Sequence, residues 1–251
     1  MQDTLVSIIV PAYKAQATID ATIDSVIAQT YGEWEMLIAD DCSPDGTREV
    51  IETRSRCDSR IRLINMPRNG GPAAARNGAL HQARGRWIAF LDSDDLWLPL
   101  KLEKCLAFAL ERKAALVFTG YRRISADGTK VGRYLGVPST LSYQQLLGNT
   151  AIATSTVFID RQQSGDISMR DVYYDDFVCW LNLLQSGLPA CGLNEDLMRY
   201  RVMQTSVSRN KRRSAQKVWA IYRNTLGFDA IKAAWYFSNY AVRGLMKYRS
   251  F

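Results

Sequence analysis

The stretch "LVSIIVPAYKAQATIDATIDSVIAQTYGEWEMLIADD" (residues 5–41) decides the fold. Leu5 to Val10 is a β-branched run closed by Pro11, which suits a strand buried on both faces. Ile19, Ile23, Val26 and Ile27 then recur at helical spacing, so Ala17 to Gln29 is predicted to be an amphipathic helix. Trp34 to Ala39 ("WEMLIA") reads as a second short strand, and two aspartates follow it at once. The alternation continues outward from there. "DDCSPDGT" (40–47) is dense in turn formers and supplies cap residues for a helix near Arg48 to Arg56. Ile61 to Asn65 reads as a third strand, "RNGGPAAARNGALHQA" (68–83) as a Gly-rich turn entering a helix, and Trp87 to Leu91 as a fourth strand. Four strand-helix alternations with short links predict a parallel, doubly wound α/β sheet, Rossmann-like and flanked by helices. After Lys101 come another helix, a strand at Ala115–Gly120, a hairpin-like stretch through "SADGTKVG" and an irregular segment to about Ile159. A helix from Asp176 to Ser186 and a helical, basic C-terminal extension complete the expected order.

The bulk numbers limit the function classes. A chain of 251 residues, 47% hydrophobic and 23% charged, builds a core and is not disordered by default. Its net charge of +7 and pI near 9.2 favour anionic partners: nucleotide phosphates, nucleic acid or an anionic membrane. Cys42, Cys57, Cys105, Cys179 and Cys191 are scattered and odd in number, without a CxxC pair, which argues against a disulfide framework or a zinc site. The N-terminus lacks the basic region of a signal peptide, and no run approaches the roughly 20 apolar residues of a membrane-spanning helix. A cytoplasmic protein is expected.

In parallel α/β sheets, ligands gather at the carboxyl ends of the strands. Pro11–Tyr13, Asp40–Asp41, Asn69–Arg76 and Asp92–Asp95 each follow a predicted strand, so they should share one edge. Asp92 and Asp94, one residue apart in "WIAFLDSDDLWLP" (87–99), can direct oxygens to one hard dication, Mg²⁺ or Mn²⁺, with diphosphate oxygens completing the shell. Taken alone, the same residues serve equally as a solvated helix cap. Asp40 and Asp41 can accept from the imide of a uracil or the amino group of a cytosine, or form an Asx turn with Ser43 to Gly46. Asn69–Gly70–Gly71 with Arg76 lets a backbone approach a phosphate, though it is neither a GxGxxG fingerprint nor a P-loop. Asp175–Asp176 before "FVCWLNLL" pairs two carboxylates, which raises proton affinity as a general base requires; a capped amphipathic helix accounts for the pair as well. His81 is the only histidine, which disfavours a serine or cysteine triad.

Together, "VSIIVPAYKAQATIDATIDSVIAQTY", "EMLIADDCSPDGT", "NGGPAAARNGAL", "GRWIAFLDSDDLWLPLKLEK", "DDFVCWLNLL" and "YRVMQTSVSRNK" resemble the inverting family 2 nucleotide-sugar glycosyltransferases, including those of bacterial surface polysaccharides. The resemblance is strong over residues 4 to about 120 and looser to about 210. Each motif is weak by itself; their order and spacing are specific.

The resemblance implies a GT-A fold over residues 1–210, with a nucleotide-binding half of about 1–100 and an acceptor half of about 101–210. Residues 211–251 would form a basic aromatic tail. It implies a nucleotide diphospho-sugar donor, UDP-linked by preference, and Mn²⁺ or Mg²⁺. Pro11, Ala12 and Tyr13 would line the nucleoside pocket, and Asp41 would hold the pyrimidine edge with Asp40 beside it. Gly71 and Arg76 would belong to the nucleotide-side loop. Asp92 and Ser93 would lie against ribose and diphosphate, with Asp94, assisted by Asp92, as metal ligand. Asp176 would be the catalytic base, with Asp175 standing where the family often has Glu. Met203 stands where many relatives have a histidine, so no contact of that histidine carries over. The implied acceptor is a glycan on a polyprenyl diphosphate.

The tail carries nine Lys and Arg residues against Asp229 alone, interleaved with Trp219, Tyr222, Trp235, Tyr236, Phe237 and Tyr240. That pattern suits peripheral attachment to an anionic membrane from the inner face; a helical pair closing the core is the other expectation. Nucleic acid finds no further support in the chain. Two rival functions are weighed down by particular residues. A nucleotidyltransferase would carry a basic Gly-rich loop after the first strand, and "PAYKAQ" is not one. A catalytically inactive nucleotide-sugar-binding accessory protein would not need to retain both Asp94 and Asp176.

Overall fold

The structure, a computed structural model, describes residues 4–149, 152–188, 190–203 and 211–247; for residues 211–213 and 243–247 it describes the backbone alone. The first half alternates as expected: β1 (Val6–Ala12), α1 (Ile19–Ile27), β2 (Trp34–Asp40), α2 (Thr47–Cys57), β3 (Ile61–Asn65), α3 (Gly71–His81) and β4 (Trp87–Phe90). There follow β5 (Leu96–Trp97), α4 (Lys101–Arg112), β6 (Leu116–Ser125), β7 (Val131–Leu135), β8 (Thr140–Leu141) and α5 (Tyr143–Leu147). A short 3₁₀ turn (Thr154–Thr156) precedes β9 (Phe158–Asp160), α6 (Arg161–Ser164), α7 (Asp175–Gln185) and β10 (Ala190–Val202). α8 (Lys211–Ala220), a π turn (Ile221–Thr225) and α9 (Ala230–Lys247) close the chain.

One sheet holds these strands in the order β3-β2-β1-β4-β9-β6-β10-β5, with β7 on β6 and β8 on β10. β3, β2, β1 and β4 are mutually parallel, as the βαβ reading requires. Beyond β4 the sheet turns mixed, since β9 runs antiparallel to both β4 and β6, while β6 and β10 are parallel. The stretch expected to be irregular as far as Ile159 contains β8, α5, the 3₁₀ turn and most of β9. These elements are short, and the sequence gives each too few residues to show a period.

The sheet separates two apolar layers. Val6, Ile8 and Val10 of β1 face one with Ile19 and Ile23 of α1, while Ile9 faces the other with Ala75 of α3. The alternation of a strand thus buries both faces, which explains why β1, β2 and β4 read as largely apolar runs, with Ser7 and Glu35 the buried polar exceptions within the runs of β1 and β2. On the α3 side, Phe90 of β4 meets Trp180 of α7 edge to face at 5.3 Å. Val218, Ile221, Tyr222 and Ala233 of the C-terminal helices belong to the same buried cluster. The tail therefore packs one face onto the core. Its other face does not: Ile231, Trp235 and Val242 are 86%, 68% and 56% exposed.

Candidate active site

Asp40 and Asp41 stand at the end of β2, both buried, and the amide of Asp41 donates to the carbonyl of Ala12 at 2.9 Å. The Asp41 carboxylate accepts from the amides of Gly70 and Gly71, 2.8 Å each, and Asn69 Nδ2 donates to its carbonyl at 2.9 Å. Gly71 opens α3 with φ +81°, a conformation that side-chained residues seldom adopt. Asp41 therefore pins the glycine turn, and a carboxylate so engaged keeps further lone pairs for a ligand. Pro11 and Ala12 end β1 on the same edge and Tyr13 follows them; Ala12 is buried and Tyr13 exposed, with Lys14 Nζ 5.3 Å from its ring centre.

After β4, the segment Asp92–Asp95 is held from several directions. Thr18, at the N-cap of α1, and Thr22 within it donate to the carbonyl of Ser93 at 2.9 and 3.0 Å, and Arg201 of β10 donates to the carbonyl of Asp94 at 2.8 Å. Asp95 is fully buried and accepts from Ser155 Oγ (2.6 Å) and from the Arg201 amide (2.9 Å). Burial and the neighbouring Asp94 and Asp92 push its proton affinity well up. Burial, then the charge of Asp92, raise Asp94 to about 6.

Arg76 is the junction of the site. Its guanidinium, buried in α3, donates to Asp92 Oδ1 at 2.7 Å and to Asp175 Oδ2 at 2.6 Å. Burial alone would lower its pKa; the charges of Asp92 and Asp175 outweigh that and raise it. Asp176, next to Asp175 at the start of α7, accepts from Thr154 Oγ1 at 2.5 Å and from the Phe177 amide at 2.7 Å. Burial and the charge of Asp175 raise its pKa against the pull of Arg76 and Thr154. A carboxylate with raised proton affinity, tied through Arg76 and Asp175 to the loop after β4, is what proton abstraction from a hydroxyl asks for.

Asp94 and the oxygen of Asp92 not bonded to Arg76 are hard donors on one short turn. They fit a small dication of the kind that takes one or two carboxylates and completes its shell with water and substrate phosphates. Among the described residues no three His, Cys, Asp or Glu side chains converge, so no all-protein metal cage is formed.

Of the residues singled out in the sequence, Asp92, Arg76, Asp175 and Asp176 are joined in one network, and Asp41 is joined to Gly70 and Gly71 beside it. Thr154, Ser155 and Arg201 were missed as site residues, and Asp95, expected on this edge with Asp92 to Asp94, had been given no role. Their sequence signal exists only in part: three hydroxyls, Thr154 to Thr156, stand before the apolar run "VFI", whereas ligand groups of a parallel sheet are expected after strands. Met203 directly follows β10, and the rest of "YRVMQTSVSRNK" from residue 204 to Asn210 lies outside the described residues, as does Arg249.

The sequence profile of glycosyl transferase family 2 matches residues 7–164. TuaG of Bacillus subtilis, named for teichuronic acid biosynthesis as a glycosyltransferase, is 44% identical over 244 residues, 97% of each chain. WfgD of Escherichia coli, named UDP-Glc:alpha-D-GlcNAc-diphosphoundecaprenol beta-1,3-glucosyltransferase, is 37% identical over 250 residues, 99% of this chain and 96% of that one. Among solved structures, TarS of S. aureus (residues 1–349, with UDP-GlcNAc) superimposes with a TM-score of 0.69 at 18% identity, over 94% of this chain and 71% of that one. The mannosyltransferase PcManGT of Pyrobaculum calidifontis, with GDP-Man and Mn²⁺, gives 0.71 at 16% identity, over 96% and 74%.

Proposed function

The chain belongs to glycosyl transferase family 2, and on that premise we propose that it transfers a sugar from a UDP-sugar to a hydroxyl of a lipid-linked glycan with inversion. Its relatives are glycosyltransferases of bacterial surface polysaccharides. The observation that carries the finer reading is the Arg76 bridge, which brings the donor-loop carboxylate Asp92 to the Asp175–Asp176 pair.

The residues then divide the work. Asp41 accepts from the uracil with the lone pairs left by Gly70 and Gly71, with Asp40 beside it, and Pro11, Ala12 and Tyr13 line the nucleoside. Asp92 and Ser93 lie along ribose and diphosphate. Asp176 takes the proton of the acceptor hydroxyl while that oxygen bonds to the anomeric carbon. The carbon–oxygen bond to the diphosphate breaks on the opposite face, and the diphosphate leaves with the electron pair. An α-linked donor thereby gives a β-glycoside. A bound Mn²⁺ or Mg²⁺, held by Asp94 with Asp92, would supply charge neutralisation for the leaving diphosphate. Residues 1–100 serve as the nucleotide half and 101–210 as the acceptor half, with 211–251 as the tail.

A lipid-linked acceptor places the reaction at a membrane. No helix among the described residues is long and apolar enough to cross one. The outward face of α9, with Ile231, Trp235 and Val242, and the cationic tail suit peripheral attachment to an anionic surface on the cytoplasmic side.

The experiment is a panel of UDP-, GDP- and dTDP-sugars with Mn²⁺ or Mg²⁺ and polyprenyl-diphosphate glycans as acceptors. Transfer from a UDP-sugar to give a β-linkage is expected. Binding of nucleotide sugar with neither transfer nor donor hydrolysis would instead mark an accessory protein.

A further inference from the structure

The turn Thr154–Thr156 has a place that its sequence does not announce. Because β9 runs antiparallel to β4, the residues just before β9 lie beside those just after β4, with Ala89 paired to Phe158. Thr154, Ser155 and Thr156 are all buried, and each hydroxyl is engaged. Thr154 Oγ1 donates to Asp176 at 2.5 Å. Ser155 Oγ donates to Asp95 at 2.6 Å and accepts from the Asp92 amide at 3.0 Å. The turn is itself anchored: Trp97 Nε1 donates to the Ser155 carbonyl at 2.8 Å, and the buried Lys101 ammonium reaches the Thr156 carbonyl at 3.1 Å.

With the Arg76 bridge these bonds close a ring. One arc runs from Asp92 through Arg76 to Asp175; the other runs from Asp92 and Asp95 through Ser155 and Thr154 to Asp176. The first arc is charged and the second is built of hydroxyls. Two contacts, Thr154 Oγ1 on Oδ2 and the Phe177 amide on Oδ1, leave the Asp176 carboxylate little rotational freedom.

We propose that the Thr154–Ser155 pair is a positioning device of the transfer reaction: Thr154 orients the base Asp176, and Ser155 sets the donor loop Asp92–Asp95 against it. The inference rests on the reading of Asp176 as base. It differs from simple packing in assigning two adjacent hydroxyls to two separate kinetic effects.

Thr154→Val keeps the shape and removes the donor. Misplacement of a reacting group by about 1 Å can cost about 10²-fold, so kcat should fall about 10- to 100-fold while the Kd for the donor, by calorimetry, stays unchanged. The groups facing Asp176 are Asp175 on its own helix, Cys179 one turn on, Arg76 from α3 and Thr154 from the turn. The hydroxyl favours the ionised base, so its loss should also move the acid limb of kcat to higher pH, and Thr154→Ser should restore both. Ser155→Ala should act mainly on donor KM, raising it about tenfold. Thr154→Ala, which cannot overpack, gives the same readout if Thr154→Val does not fold. In an Asp176→Asn background, Thr154→Val should add nothing. If the Thr154 variants keep kcat and the acid limb while Asp176→Asn is inactive, the positioning role is overturned. If Asp176→Asn itself turns over normally, it is the assignment of the base that fails.

Discussion

The parallel half delivers its polar groups from strand ends: Asp40 and Asp41 after the body of β2, Asp92 to Asp95 after β4. In the mixed half β9 runs the other way, and the groups that reach the same edge, Thr154 and Ser155, precede their strand. Strand direction thus decides which flank of an apolar run to search. The halves also differ in how they hold their carboxylates. Asp41 rests on backbone amides, whereas Asp175 and Asp176 depend on a guanidinium 99 residues away in sequence and on a side-chain hydroxyl. Amides of a rigid turn are supplied by the fold; side-chain partners can be removed one at a time, and this makes the comparison testable.

The largest effect is expected where the halves are tied. Arg76→Ala leaves Asp92 and the buried Asp175 without their cation, and removal of one partner of a buried pair costs about 3–5 kcal/mol. Urea unfolding should register that loss. A change under about 1 kcal/mol would mean that the apolar layers alone join the halves.

Next comes the donor loop. Asp94→Ala should slow metal-dependent transfer by about 10²–10³, since the leaving diphosphate loses its counter-charge, and should do so without destabilising the fold. Wild-type turnover by this variant would remove Asp94 from the metal site and leave Asp92 as the candidate.

The smallest effect belongs to the tail. Truncation there would strip Val218, Ile221, Tyr222 and Ala233 from the core and confuse stability with attachment. Point changes on the outward face avoid this. Ile231→Ser and Trp235→Ser should each weaken binding to anionic liposomes by about 1 kcal/mol, roughly fivefold, with thermal stability unchanged. Equal binding by variants and wild type would return the exposed stripe to plain solvent-facing surface.

Much of this was readable from the sequence. The four parallel strands were: β1, β2 and β4 are largely apolar runs buried on both faces, and β3 keeps Ile61 and Ile64 buried. So were Asp40–Asp41, Asp92–Asp95, Gly70–Gly71 with Arg76, and Asp175–Asp176, because each follows such a run or opens a helix. The hydroxyl arc was not. "ATST" has the composition of any loop, and nothing local states that β9 is antiparallel. β10 was missed for a related reason: its apolar residues are interrupted by Asn194, Glu195 and Asp196 and its pairing by register shifts around Asp196, so no period-2 pattern survives. Arg201, which clamps Asp94 and Asp95, stands 107 and 106 residues from them, a separation at which only the fold can introduce partners. In the tail, aromatics lie on both the packed and the exposed faces, so the helical period is masked and the two readings of the tail could not be separated.

The central claim is that Asp176 is the base of an inverting transfer whose donor is held independently by the loop after β4. Asp176→Asn keeps the volume and the Thr154 and Phe177 neighbours while removing the basic oxygen. Calorimetry with the UDP-sugar, run beside a product assay on the same protein, separates the two roles. The account predicts a donor Kd within about twofold of wild type and a loss of turnover of about 10²–10⁴. The residual rate should no longer show the acid limb that the raised affinity of Asp176 places above the ordinary aspartate range. Turnover near the wild-type rate, or loss of donor binding together with turnover, would contradict it.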